Sequence, residues 1–290
     1  MKASLKNLIV TLSVLILLGV CAFSIVINGG ANLTFAIADS ATGIRYGGES
    51  FQLYANSTTE TVKFTNREEE YFETVNGVPL YKELASFSNA CGAIAGAIVI
   101  GFYDKYYEDL IPNYTAYFPT IGLYKPADRT YVPQLIENLY TLMRTNVDDV
   151  GVSEDDCING LSAYCTGKGK TIKYTSVNAS KGVDTTAYLN AITNNKPVLL
   201  FMGSNDIYTF SYNDTQETIS KTNLTGNHIF VGYGYCVVKY YNGTTNFRTD
   251  TYLKVACGRN DYSSAYIRVN STATSSSTGW YHNGYSVSIT

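Results

Sequence analysis

Histidine is nearly absent from this chain. Only His228 and His282 occur among 290 residues, so any imidazole chemistry is confined to those two positions. Charge is also scarce: 16% of residues are charged, and 21 basic side chains face 24 acidic ones for a net charge of −3. No basic patch exists to neutralise a phosphate backbone, which argues against nucleic acid as a partner. HExxH and paired CxxC spacings are missing, and the usual zinc sites go with them. No metal or organic cofactor is expected. Gly169-Lys170-Thr171 imitates the end of a phosphate loop, but Tyr164 stands where its first glycine belongs. Gly48-Glu49-Ser50 has Gln52 in place of the glycine that a serine elbow needs. There is no internal repeat, and the low-complexity run Ser271 to Thr278 reads as a loop.

What the chain does have is apolar and aromatic content. Hydrophobic residues make up 45%, and 26 tyrosines take over surface that charge would otherwise cover. That composition buries a full core and favours strands, as in extracellular proteins. The N-terminus carries Lys2 and Lys6, an apolar run from Leu8 to Ile27, and Ala36-Ile37-Ala38 ahead of Asp39. A basic n-region, a hydrophobic h-region and an A-x-A site make residues 1–38 a secretory signal, or an N-terminal membrane anchor if uncleaved. A secreted or surface-anchored monomer is expected. Residues 39–77 read as an N-terminal extension, with Phe51-Gln52-Leu53-Tyr54 and Thr61-Val62-Lys63-Phe64 as short strands and Arg67 to Glu70 as a charged bend.

From residue 78 the order is helices first, strands second. The stretch from Cys91 to Phe102 interleaves Gly and Ala with Ile94, Ile98 and Phe102. It reads as a helix buried on most sides, capped by Ser88 or Asn89 and running to about Leu110, with Asp104, Lys105, Glu108 and Asp109 at a solvated outer end. Further helices are expected from Thr130, after Ser153 and over Thr185 to Asn194. Strands are expected over Thr171 to Ser176, Pro197 to Met202, His228 to Tyr241, Thr249 to Gly258, Ala265 to Val269 and Tyr285 to Ile289. This is an α+β layout whose two halves can face each other across a cleft.

Cys91 falls in the first turn of its helix, where free N–H groups and the helix dipole favour thiolate. Signal removal leaves five cysteines, an odd number. One thiol kept free and up to two disulfides is one reading, and four simply buried thiols is the other. A cysteine nucleophile needs a base. His282 reads as an exposed loop residue, whereas His228 stands at the mouth of the apolar strand His228-Ile229-Phe230-Val231-Gly232-Tyr233.

Asn89-Ala90-Cys91-Gly92 opening a small-residue helix, followed much later by that histidine strand, resembles the papain-like cysteine peptidases, in particular their secreted bacterial C39-like branch. Val78-Pro79-Leu80-Tyr81, Asn159-Gly160-Leu161-Ser162-Ala163-Tyr164 and Lys196-Pro197-Val198-Leu199-Leu200 add to the likeness, which spans Val78 to Val269. The resemblance implies a papain-like fold over residues 78–290, with the nucleophile helix packed on an antiparallel sheet. It implies hydrolysis of peptide or protein substrates by a Cys91–His228 thiolate–imidazolium pair. The family's third residue has no clean match; hairpin register places Asp261 on the side of His228 and Asn260 on the other. The family's oxyanion glutamine is missing too. Glu83 stands nearby but cannot donate when ionised, which leaves the Cys91 backbone N–H with Ser86, Ser88 or Asn89. The rival expectation is an inactive module of the same fold that binds protein or glycan through its tyrosine-rich surface.

Overall fold

The computed structural model describes residues 22–27, 31–36, 44–47, 52–126, 128–147, 151–180, 182–260, 262–269 and 281–290. The chain divides into two units at Ile44 and Arg45. In the first, β1 (Ala22–Ile27) pairs antiparallel with β2 (Ala31–Ala36), both within the expected signal or anchor. Among the described residues no helix is long and apolar enough to cross a membrane.

The second unit opens with β3 (Arg45–Tyr46), β4 (Gln52–Lys63) and β5 (Asn66–Glu73). Its helical part is α1 (Cys91–Asp104), α2 (Tyr131–Leu142) and α3 (Glu154–Gly167), with the two-residue strands β6 (Tyr117–Phe118), β7 (Leu123–Tyr124) and β8 (Val152–Ser153) between them. Then come β9 (Ile172–Ser176), α4 (Thr185–Thr193), β10 (Val198–Met202), β11 (Asn205–Tyr212), β12 (Gln216–Thr225), β13 (His228–Asn242), β14 (Thr245–Ala256), β15 (Ser264–Arg268) and β16 (Tyr281–Ile289). Ten of the strands form one antiparallel sheet in the order β4-β12-β11-β15-β14-β13-β10-β16-β9, with β5 also on β13.

β13 is the spine. One edge pairs with β14, while the other takes β10 along Gly232 to His228 and then β5 along Gly234 to Tyr241. The segment expected as an extension therefore supplies two strands to the sheet itself. Arg67 to Glu70, expected as a bend, lies inside β5, because its acids face Tyr235, Tyr241 and Arg67 rather than one another. β11 and β12 form a hairpin between Met202 and His228 where no strand was expected.

α1 is buried along its whole length. It packs on α2, α3 and β13, and its glycines permit this: a Cβ on Gly92 would lie 2.7 Å from Val152 Cγ1 and one on Gly101 2.7 Å from the Tyr81 hydroxyl. Thr130 and Ser153 precede α2 and α3 as expected, and Ser153 Oγ accepts the Asp156 N–H at 3.0 Å. The α1 cap differs from expectation. Ala90 is the N-cap and makes no side-chain cap bond; Asn89 sits at a left-handed φ of 56°, and its side chain donates to Asn146 instead. The helix ends at Asp104, not at Leu110.

Asp104 is also not at a solvated end. It is fully buried, and its two carboxylate oxygens accept the N–H groups of Ile111 and Ala116 at 2.9 Å each. Burial lifts its pKa from 3.8 to about 6 against the pull of those two bonds. Removing the carboxylate strands two buried donors, so Asp104→Ala should cost about 2 to 4 kcal/mol in urea unfolding. Between pH 3.8 and 6 the folded chain holds the extra proton. The stability gap between wild type and variant should therefore widen as pH falls from 7 towards 4. A flat difference would show that Asp104 does not titrate there.

Candidate active site

The N-terminus of α1 and the first residue of β13 meet at one pocket. It measures about 330 Å³ and is lined by Cys91 and His228 together with Glu83, Ser88, Asn89, Arg259 and Asn260, among others. Cys91 is 7% exposed and His228 4%. The Cys91 sulfur accepts the backbone N–H of Ile229, the residue after His228, as well as those of Gly92 and Cys91 itself.

The His228 ring is held by the chain beyond β14. Nε2 lies 2.7 Å from the carbonyl oxygen of Cys257. A carbonyl only accepts, so Nε2 carries the proton and the lone pair is on Nδ1. The edge of Phe230 packs on the ring at 4.6 Å between centroids. The Cys257 carbonyl thus holds the ring at Nε2. Asp261 lies outside the described residues, and Asn260 lines the pocket. The hairpin turns at Gly243-Thr244, one residue beyond the Asn242-Gly243 turn considered from the sequence, with bulges between Gly232 and Gly234 and between Tyr240 and Tyr241.

The oxyanion candidates are both present at the rim and both engaged. Asn89 Nδ2 donates to Asn146 Oδ1 at 2.5 Å, and Asn146 Nδ2 donates to Ser88 Oγ at 3.1 Å. Glu83 pairs with Arg259 at 3.2 Å, which brings a cation to the pocket that the sequence reading did not include.

Electrostatically the resting pair differs from the expected thiolate–imidazolium. Burial pushes the Cys91 thiol up to about 12; the Glu83 charge adds to this, and the three backbone N–H groups oppose it. Burial pulls His228 down to about 4, with the Arg259 charge acting the same way and the Cys257 bond against. Thiol and neutral imidazole therefore face the pocket near neutral pH. Cys157, Cys165, Cys236 and Cys257 are buried thiols, so none of the five described cysteines is in a disulfide. Among the described residues no group of three His, Cys, Asp or Glu side chains is placed to hold a metal ion.

His282, expected as an exposed loop residue, lies half-buried in β16, and its Nδ1 is hydrogen-bonded to the Tyr46 hydroxyl at 2.9 Å. That bond belongs to a segment missed from the sequence. Gly47 lines the pocket: a Cβ on it would sit 3.1 Å from Cys91 Sγ. The one available signal was the glycine pair Gly47-Gly48, a place where backbone can approach closely. What the arrangement offers is a nucleophile, a base with its lone pair fixed, and helix-start N–H donors, the minimum set for acyl transfer.

Comparison with models of protein families, with curated proteins and with solved structures finds no match.

The His228 assignment is open to direct measurement. Nitrogen-15 spectra of histidine-labelled protein at pH 6.5 should show His228 as the neutral Nε2–H tautomer; a doubly protonated ring would contradict it. The unfolded ring protonates near 6.5 and the folded one near 4. The unfolded state thus binds the proton first, and this group's contribution to stability is lost as pH falls through that window.

Proposed function

We propose that the chain is a papain-like thiol hydrolase acting on peptide bonds outside the cell. The observation that supports this reading most is the fixed tautomer of His228 beside Cys91: Nε2 is tied to the Cys257 carbonyl, so Nδ1 is the proton acceptor on a ring that lines the same pocket as the thiol. Because both groups rest neutral, the proton moves from Sγ to Nδ1 as the sulfur attacks a carbonyl carbon. The N–H groups at the start of α1 would then turn from the sulfur to the oxyanion. His228 then returns the proton to the leaving amine, and water releases the acyl group. No step calls for a metal or an organic cofactor. The α+β layout and the N-terminal sequence are compatible with a secreted peptidase, monomeric and free or anchored at its N-terminus.

A second reading has its own support. Glu83 stands where a donor is wanted, and burial disfavours the charged pair. A protein that keeps the fold but binds protein or glycan would tolerate both.

An unfolded protein substrate separates the two readings. Purified wild-type chain should cut it, and Cys91→Ala should lower the rate at least ~1,000-fold while leaving the circular dichroism unchanged. His228→Ala should fall comparably. Cleavage equal in wild type and Cys91→Ala, or none in either, would remove the hydrolase reading and leave the binding module.

A further inference from the structure

Arg259 is the one cation among the described residues that line the Cys91 pocket. Its place there is set from three directions. Two residues back, the Cys257 carbonyl holds the His228 ring. One residue back, Gly258 lies against α1: a Cβ on it would stand 2.8 Å from Cγ2 of Ile94, in the first turn of that helix. Across the pocket, Glu83 accepts from Arg259 Nη1 at 3.2 Å. Glu83 leads into a turn closed by the Phe87 N–H on the Leu84 carbonyl at 3.0 Å, which fixes its backbone. The pair therefore spans the two reacting side chains. The Glu83 charge works against a thiolate at Cys91, and the Arg259 charge works against an imidazolium at His228. Of the two partners the guanidinium is the drier, with 17% of its side chain exposed against 40% for the carboxylate. Water screens the acid more than the base, so a negative charge forming in the pocket meets the guanidinium more strongly.

Attack on a carbonyl carbon creates such a charge on its oxygen. The side chains expected to meet it are engaged elsewhere: Asn89 donates to Asn146, and Asn146 donates to Ser88. A guanidinium presents five N–H donors in a rigid plane, so holding one arm on Glu83 sets the direction of the others. We propose that Arg259 is the side-chain donor to the oxyanion, with Glu83 as the residue that positions it. This rests on the hydrolase reading above. The acid that cannot itself donate delivers a group that can.

In the step, Cys91 Sγ bonds to the substrate carbonyl carbon, the thiol proton passes to His228, and the π pair moves onto the oxygen. Arg259 and the helix-start N–H groups share that charge. The carbonyl then re-forms, the carbon–nitrogen bond breaks, and the amine leaves with the proton from His228. Water opens the thioester through a second oxyanion at the same place, restoring the Cys91 thiol.

Alkylation separates this role from an effect on the thiol. Iodoacetamide reacts with Cys91 by displacement at a saturated carbon and builds no oxyanion, whereas hydrolysis of unfolded protein does. Arg259→Met should lower kcat about 100-fold or more and leave KM, like the rate of Cys91 labelling, within about 3-fold of wild type. Arg259→Lys keeps the cation without the fork and carries the test if the methionine variant does not fold; its kcat should fall about 10-fold or more, with labelling again unchanged. Glu83→Ala should lower kcat about 10-fold, add nothing further in Arg259→Met, and be largely rescued in Glu83→Gln, which keeps an oxygen for the guanidinium. Folded Arg259 variants that hydrolyse at the wild-type rate would overturn the proposal and leave the hydrolase reading standing alone. Labelling that falls in step with hydrolysis would overturn it too, because the guanidinium would then act on the thiol. If the wild-type chain leaves unfolded protein uncut, the hydrolase reading itself fails and the oxyanion role goes with it.

Discussion

A helix with no polar face is stable only where every side is covered, and the burial of α1 from Cys91 to Asp104 sets that demand for the rest of the unit. Ile94, Ile98, Ile100 and Phe102 are almost wholly out of water, each worth about 1.5 to 3 kcal/mol of burial. Covering them requires α2 and α3 on one side and β13 on the other. The same packing decides where chemistry is possible. The helix start meets the first residues of β13, so Cys91 and His228 come together as a by-product of covering α1. A thiol placed at the end of a buried helix is held rigidly, because moving it means moving the core.

That rigidity carries an electrostatic cost. The helix-start N–H groups favour a thiolate at Cys91, as its position in the first turn implies, but withdrawal from water outweighs them. One pKa unit corresponds to about 1.4 kcal/mol between charge states, and desolvation of a fully buried group commonly exceeds what neighbouring dipoles return. The imidazole is caught by the same effect with the opposite sign. A buried pair of this kind stays neutral until solvent or a substrate changes its surroundings. The charge state of the site is therefore coupled to whatever lies over it, and here that is Gly47.

Much of this was legible from residues alone. The small-residue helix, the Ser153 cap, the Pro197 to Met202 strand and the long strand from His228 all announce themselves through periodicity or capping chemistry. β12 did not. Its buried positions include Glu217 beside Ile219, and a glutamate on the inner face hides the apolar period. Glu217 is tolerated there because Arg67 donates to both its oxygens, at 3.0 and 3.3 Å, and Tyr240 donates at 2.5 Å. Arg67 in turn gives β5 its reason to be a strand, although its charge run reads as a bend. Asp104 misled in the mirror sense: an acid near a helix end looks solvated, and only the return of the chain at Ile111 and Ala116 buries it. The Cys257 carbonyl that orients His228 was illegible in principle, since any residue has a carbonyl.

The segment from Arg45 to Glu73 plays two structural roles that differ in how firmly they are fixed. From Gln52 onward it is built into the sheet. Phe64 N–H donates to the Thr215 carbonyl and Thr65 N–H to that of Tyr241, carrying the chain from β4 on β12 to β5 on β13. A third buried cluster, with Val62, Phe64, Ile219, Val238 and Tyr240, packs where these strands meet. Glu60 binds Arg248 and Arg268, and Glu73 binds Lys254, so each strand is also tied by charge to strands with which it does not pair. Arg45 to Gly47, by contrast, is held by a two-residue pairing, the bonds to Asn227, the Arg45–Asp156 contact at 3.4 Å and one buried ring. Strands with this much shared burial and pairing open only with the sheet, whereas a three-residue strap opens locally. A Cβ on Gly47 would lie 3.1 Å from Cys91 Sγ, so it is the less firmly tied part of this segment that meets the sulfur.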